Sequence, residues 1–316
     1  MGTPEFAVAS LDKLVDEGYQ VLAVVTSPDK AAGRGQKLRF SAVKEYALQH
    51  QLPILQPVNL KDENFIAELK ALNANLYIVV AFRMLPEAVW GLPEYGTFNL
   101  HASLLPDYRG AAPINRVLIN GEKYTGVTTF FINEQIDTGA IIFREKVDID
   151  EDENASMLHD KLMEKGAGLV IRTVKAIIDG SWKGTSQQEF LSDYEKLHPA
   201  PKIQKEDCRI QWNKSTDEVY NFIRGLSEYP GAFTELKDPD GLSYYFKILG
   251  AKKETGNNTY KDSGRIVTDQ RHFLKISTID GFIDITELQL SGKKKMEISS
   301  FLRGFKIDEN WSVYYV

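Results

Sequence analysis

The 316-residue chain has a single cysteine, Cys208, so no intramolecular disulfide can form. Cys/His pairs at zinc-binding spacing are also absent. The chain has no surplus of positive charge: 38 Lys+Arg stand against 44 Asp+Glu, a formal net charge of −6. That balance argues against a simple basic coat protein for nucleic acid. No apolar run approaches the ~20 residues that a membrane helix needs; the longest, residues 76–82, suits a buried strand. The first residues show no basic stretch leading into an apolar one, which predicts no secretory signal. Internal repeats and low-complexity tracts are missing too. What remains is 43% hydrophobic and 26% charged, the composition of an ordinary globular protein of about two domains. The expected form is a cytoplasmic monomer without a membrane partner.

Hydrophobic periodicity organises the chain. Thr3-Pro4-Glu5 reads as a helix start, with Thr3 as cap, followed by Ala7, Val8, Leu11, Leu14 and Val15 at helical spacing. Such a Gly-Thr turn into a helix normally follows a strand, so we expect a first strand before Gly2 and a natural chain a few residues longer. Strands are predicted at 21–25, near Ile54, and at 76–81, 97–100, 126–132 and 141–147. Helices are predicted at 41–49, 63–72 and 155–178, the last capped by Asn154 and ended by Gly180. Strands alternating with helices predict an α/β domain with a mostly parallel, Rossmann-like sheet over residues 1–184. Residues 185–204 are polar, with Pro199 and Pro201, and read as a linker. Residues 205–316 show short strands at 243–249, 264–267, 273–277 and 282–290 and a helix at 219–226, which predicts a small β-barrel. This part carries 17 basic and 17 acidic side chains, so residues 1–204 hold the entire −6.

The stretch Asn99-Leu100-His101-Ala102-Ser103-Leu104-Leu105-Pro106-Asp107-Tyr108-Arg109-Gly110 carries the chemistry. In a strand, Asn99 and His101 point to one face, and the carboxyl end of a parallel sheet overlooks the ligand crevice. Asp137-Thr138-Gly139 leaves the sheet in a second loop. No cysteine is near, and Ser103 has no nucleophile-elbow context. These residues therefore suit direct acyl transfer without a covalent enzyme intermediate. His101 can act on protons near neutral pH, and Asn99 can donate to a developing oxyanion. On the residues alone, a structural role for Asn99-x-His101 and a plain turn at Asp137 remain open.

Several segments together resemble the formyltransferase family that uses 10-formyltetrahydrofolate. They are Gly2-Thr3-Pro4-Glu5-Phe6-Ala7-Val8, Ala32-Gly33-Arg34-Gly35-Gln36-Lys37-Leu38, Gln56-Pro57, the 99–113 stretch, Gly126-Val127-Thr128, Asp137-Thr138-Gly139, Lys202-Ile203 and Ser291-Gly292-Lys293-Lys294-Lys295-Met296. More narrowly, the chain resembles the branch acting on the methionine of initiator tRNA, for translation initiation. The resemblance implies a catalytic trio of Asn99, His101 and Asp137. It also implies tetrahydrofolate contacts by Ser103, Leu104, Leu105 and Pro106, no metal, and an OB-like tRNA-binding domain at 205–316. In that scheme Asn99 and His101 stabilise the oxyanion while Asp137 aligns His101.

Phosphate binding depends on local rather than net charge. Residues 29–44 hold Lys30, Arg34, Lys37, Arg39 and Lys44 against Asp29, a local net of +4. The family uses the equivalent loop on the acceptor stem, which implies tRNA contacts by Arg34, Lys37 and Arg39. Lys293, Lys294 and Lys295 form a second basic cluster. The acidic run 148–153 lacks EF-hand spacing and reads as a solvated loop. His50, His159, His198 and His272 read as structural or solvent residues. Other functions compatible with the trio are formylation of a sugar amine or a glycinamide nucleotide, hydrolysis of 10-formyltetrahydrofolate, and tRNA binding without catalysis.

Overall fold

A computed structural model describes residues 1–32, 37–256 and 262–314. In chain order it begins with α1 (Glu5–Asp16), β1 (Val24–Val25), β2 (Lys30–Ala32), β3 (Lys37–Arg39), α2 (Ala42–Gln49), β4 (Ile54–Leu55) and α3 (Glu63–Leu72). Next come β5 (Tyr77–Val80), α4 (Glu87–Trp90), β6 (Thr97–His101), α5 (Pro113–Ile119), β7 (Tyr124–Phe131), β8 (Ile141–Asp148) and α6 (Ala155–Ile178). The chain ends with α7 (Thr216–Leu226), β9 (Ala232–Lys237), β10 (Ser243–Thr255), β11 (Ile266–Thr268), β12 (Leu274–Ser277), β13 (Gly281–Leu290), β14 (Met296–Glu297), α8 (Ile298–Leu302) and β15 (Ser312–Val313). Among the described residues no helix is long and apolar enough to cross a membrane.

Contacts divide the chain into two compact units that do not follow sequence order. The first gathers Met1–Ala111, Tyr124–Asp148 and His159–Ala200; the second gathers Ala112–Lys123, Ile149–Leu158 and Pro201–Val316. Residues 185–200 therefore fold with the first unit, although their polar composition suggested only a connection.

In the first unit β1 pairs in parallel with β4, and β5 with β6. Met1 and Gly2 lie between these pairs: the Gly2 N–H donates to the Val25 carbonyl at 3.0 Å, and Gly2 bridges Val80 in parallel. Gly2 must be glycine there, because a Cβ would collide with the Ala7 side chain and the Val80 carbonyl. The Met1 amine is buried, which pushes its pKa down to about 5, and it donates to the Ile78 carbonyl at 2.7 Å. Beside it is an apolar cavity of about 340 Å³, lined by Leu14, Val21, Ala23, Leu72 and Ile78 among others.

The sheet continues β5-β6-β7-β8, and here it turns antiparallel. For β7 and β8 the reason is length: residues 132–140 connect them, too few for the crossover that a parallel pair requires. The core on one side of the sheet joins Val25, Tyr77 and Val79 to Leu60, Phe65, Leu69, Leu85 and Val89 from the neighbouring helices and loops. Asn154 caps α6 as the sequence indicated, its Oδ1 accepting from the Met157 N–H at 3.0 Å. Thr3 does not cap α1. The helix starts after Pro4, and the Thr3 hydroxyl pairs with Ser27 at 3.0 Å instead.

The second unit is built on one antiparallel sheet in the order β11-β12-β13-β10-β9-β15, with β14 beside β13. An antiparallel bridge between Arg265 and Ser312 joins the two ends of this path, so the sheet curls into a nearly closed barrel. Helix α7 carries a capping box, Ser215 with Glu218, and covers the barrel's apolar interior. Trp212 is fully buried there, its indole N–H donating to Thr234 at 3.0 Å. The acidic run is not simply solvated. Glu153 is buried, Tyr220 donates to Asp152 at 2.9 Å, and Arg224 donates to the Asp150 and Glu153 carbonyls.

Candidate active site

Strand β6 places Asn99 and His101 on one face, and β5 runs parallel beside it in the register Val79↔Asn99. Their carboxyl ends therefore open on the same side. Asn99 is partly exposed, whereas His101 is buried. The His101 ring is fixed at one nitrogen: Nε2 lies 2.9 Å from the Tyr108 carbonyl. A carbonyl only accepts, so Nε2 carries the hydrogen. The other nitrogen, Nδ1, faces the Asp137 carboxylate at 3.9 Å. That separation is a charge contact rather than a hydrogen bond.

The Tyr108 carbonyl is itself held in place. Tyr108 has left-handed backbone geometry (φ +57°), uncommon for a residue with a side chain. Its N–H donates to the His198 carbonyl at 2.8 Å and to the Asp107 carboxylate at 3.1 Å. The buried Asp107 carboxylate also takes the His198 N–H at 2.5 Å and faces His198 Nδ1 at 3.3 Å. The Tyr108 ring stacks on that imidazole. One residue later the Arg109 carbonyl accepts from the Ala200 N–H. Gly110, at φ +125°, packs so closely on the Ala200 carbonyl that a Cβ would collide with it.

Asp137 sits on the turn between β7 and β8, also with left-handed geometry (φ +54°). Its Oδ2 accepts from the Gly110 N–H at 3.0 Å, which ties the Asp137 turn to the loop after β6. Gly139 is required by packing, since a Cβ would run into the Phe131 carbonyl oxygen. Burial holds the Arg109 guanidinium below its ordinary pKa, and the nearby Asp137 carboxylate offsets part of that shift.

The structure thus brings Asp137 to His101, with Asn99 two residues earlier on the same face of β6. Ser103, Leu105 and Pro106 are buried in the loop after β6, and Leu104 is partly exposed. Ser103 Oγ donates to the Asp107 carbonyl at 2.7 Å, and the Ser103 carbonyl accepts from Thr128. Arg34 and the side chain of Lys37 lie outside the described residues. Arg39 is exposed in β3, which pairs with β2 in the register Lys30↔Arg39. Lys293 and Lys294 are exposed on the turn after β13, whereas Lys295 is engaged by Glu228 at 2.7 Å and Glu287 at 3.5 Å. Sequence reasoning missed Gln187 and gave Asp107 no role; His198, read as structural or solvent, holds the loop through Asp107. A glutamine in a polar segment gives no signal until the fold brings it beside the loop.

Two family models match the chain: formyl transferase over residues 1–174, and formyl transferase, C-terminal domain, over residues 202–306. This chain is a formyltransferase family member. Among its curated relatives, a methionyl-tRNA formyltransferase of Azobacteroides pseudotrichonymphae is 53% identical over 305 residues, spanning 96% of this chain and 94% of that protein. The methionyl-tRNA formyltransferase of Flavobacterium johnsoniae is 52% identical over 315 residues, spanning 99% and 98%. Solved structures share the formyltransferase fold at lower identity. The sugar 3N-formyl transferase WlaRD, solved with dTDP and 5-N-formyl-THF, aligns with a TM-score of 0.61 and 21% identity over 93% of this chain and 97% of its own. HypX from Aquifex aeolicus, solved with tetrahydrofolic acid, aligns with a TM-score of 0.58 and 19% identity over 85% of this chain and 47% of its own.

Proposed function

We propose that this formyltransferase moves a formyl group from 10-formyltetrahydrofolate to the α-amino group of methionine on initiator methionyl-tRNA. The observation that carries this reading is the near-complete match, at about half identity, to relatives bearing that name. Both family segments and the placement of Asn99, His101 and Asp137 agree with it. Met84, just beyond the end of β5, and Ile136, beside Asp137, are 74% and 64% exposed and offer apolar surface to the donor's ring system. The remaining folate contacts are assigned to the loop of Ser103, Leu104, Leu105 and Pro106.

In the reaction a bond forms between the methionyl nitrogen and the formyl carbon, and the bond from that carbon to N10 of the folate breaks. The amine gives up one proton and N10 gains one, with water as the carrier. The amine attacks as its free base. Asn99 donates to the oxygen as it takes on negative charge, a contact worth about 3–4 kcal/mol in systems of this kind. His101 Nδ1 faces the Asp137 carboxylate at 3.9 Å, a charge contact that orients the ring at the site. The hydrogen bond from Nε2 to Tyr108 prevents the ring from turning away. Asp137 balances charge on the imidazole and, through Gly110, keeps the loop in register. On the tRNA side, Arg34, Lys37 and Arg39 supply phosphate contacts. Lys293 and Lys294 add a second set, and Lys295 contributes when it leaves Glu228.

Incubating the protein with 10-formyltetrahydrofolate, with and without methionyl-initiator tRNA, tests the proposal. Formyl-methionine appearing only with both substrates is the expected result. Free formate without formyl-methionine would show hydrolysis, and formylation of an amino-sugar nucleotide in place of tRNA would reject the acceptor.

A further inference from the structure

Gln187 lies in the segment whose polar composition suggested only a linker. Backbone bonds in both directions between Thr185 and Ile141 pin this segment to β8, and a capping box of Ser186 with Glu189 starts the short helical turn that carries Gln187. The Gln187 side chain is 4% exposed, and all its polar positions are used. Oε1 accepts from Arg109 Nε at 3.1 Å and Nη2 at 2.5 Å. Nε2 donates to the carbonyls of Asp137 and Gly139, both at 2.9 Å. Only a carboxamide can accept twice and donate twice in this way while remaining neutral.

These bonds act on the position of Asp137. The two carbonyls flank Thr138, so Gln187 grips the turn on both sides of the peptide that follows Asp137. The left-handed backbone of Asp137 is costly for a residue with a Cβ and persists only where its surroundings hold it. Oε1 meanwhile holds the Arg109 guanidinium, a cation near enough to act on the Asp137 carboxylate. Without that anchor Arg109 can swing to pair with Asp137 and draw it from His101. We propose that Gln187 is a positioning residue: it fixes the Asp137 turn and restrains Arg109, so that the carboxylate stays aimed at His101 Nδ1. The proposal rests on the assignment of Asp137 to the reaction.

A double-mutant cycle tests it, using steady-state and single-turnover formylation of methionyl-tRNA by the full-length protein. The variants are Gln187→Ala, Gln187→Glu, Asp137→Asn, and each Gln187 change combined with Asp137→Asn. Gln187→Glu keeps the length and the acceptor toward Arg109 but brings no hydrogens for the two carbonyls. Both Gln187 variants are expected to lose kcat by about 10- to 100-fold, with KM for each substrate within about twofold. In the Asp137→Asn background the further loss should be under about threefold, because no carboxylate is left to aim. Gln187→Glu carries the same cycle if the alanine variant does not fold. Equal losses in both backgrounds, a loss confined to KM, or Gln187→Glu at the wild-type rate would overturn the positioning role. Asp137→Asn at the wild-type rate would instead overturn the assignment of Asp137.

Discussion

The site cluster of the first unit and the barrel of the second are held together by different means. Around His101, side chains bond to backbone groups far away in sequence: Gln187 to Asp137 and Gly139, Tyr194 to Leu104, Asp107 to the His198 N–H. The apolar cluster beneath is small, with Leu105, Phe130 and Ile141 packed by Phe190. The barrel instead rests on antiparallel ladders and one large apolar interior, from Trp212 and Phe246 to Ile283 and Leu288. Burial is non-directional, whereas hydrogen bonds fix angles and distances. The barrel's forces therefore supply stability, and the cluster's forces supply aim. Substitutions in the two regions are expected to separate these properties.

The largest expected effect is on the barrel's stability. Trp212→Ala removes a fully buried indole and leaves Thr234 without its donor. It is expected to cost about 3–5 kcal/mol of unfolding free energy, read from the denaturant midpoint of the second unit. A midpoint unchanged from wild type would break the contrast. Asn99→Ala is expected to do the opposite. Asn99 is partly exposed at the crevice, so Tm should stay within a few degrees while kcat falls about 10²- to 10³-fold. A large loss of Tm with unchanged turnover would move Asn99 into the structural class.

The smallest effect is electrostatic and concerns acid. Backbone N–H groups of His272, Arg271 and Phe273 hold the Asp269 carboxyl well below its usual range, and the N–H and hydroxyl of Thr216 do the same for Asp280. A depressed carboxylate contributes stability that is complete above the unfolded value, near pH 4, and is lost as the pH falls through the folded value. Burial raises the Asp284 carboxyl, which works in the opposite direction. The second unit is therefore expected to weaken as the pH falls below about 4, and Asp280→Asn should flatten that slope. A slope that the substitution leaves unchanged would place the acid sensitivity elsewhere.

How much of this could be read from the sequence follows the same division. Burial leaves a periodic trace, so α6, α7 and the strands β10 to β13 were recognisable from the spacing of apolar residues. The motif around Asn99 and His101 and the Asp137 turn stood out because their residue types carry chemistry. The partners that hold them did not. The group facing His101 Nε2 is a carbonyl, which every residue possesses, and Gln187 and His198 lie 50 and 91 positions from Asp137 and Asp107. In the acidic run 148–153 the exposed Asp148, Asp150, Glu151 and Asp152 follow the solvated reading, while buried Glu153 does not, because only the fold supplies Arg224 and Tyr220 beside the run. The antiparallel pairing of β7 with β8 was implicit in the short 132–140 connection, but that of β6 with β7, joined through α5, was not, and the apolar content of β7 resembled that of a parallel strand.

The bridge between Arg265 and Ser312 bears on how such a protein avoids sticking to itself. A sheet left open exposes a row of unpaired amides onto which another chain can zip. Here the path ends in β11, three residues long, and β15, two residues long, and these ends meet each other. Among the described residues, this path ends in no long free edge. Fibril-like association through this sheet must therefore begin by prying that short seam apart.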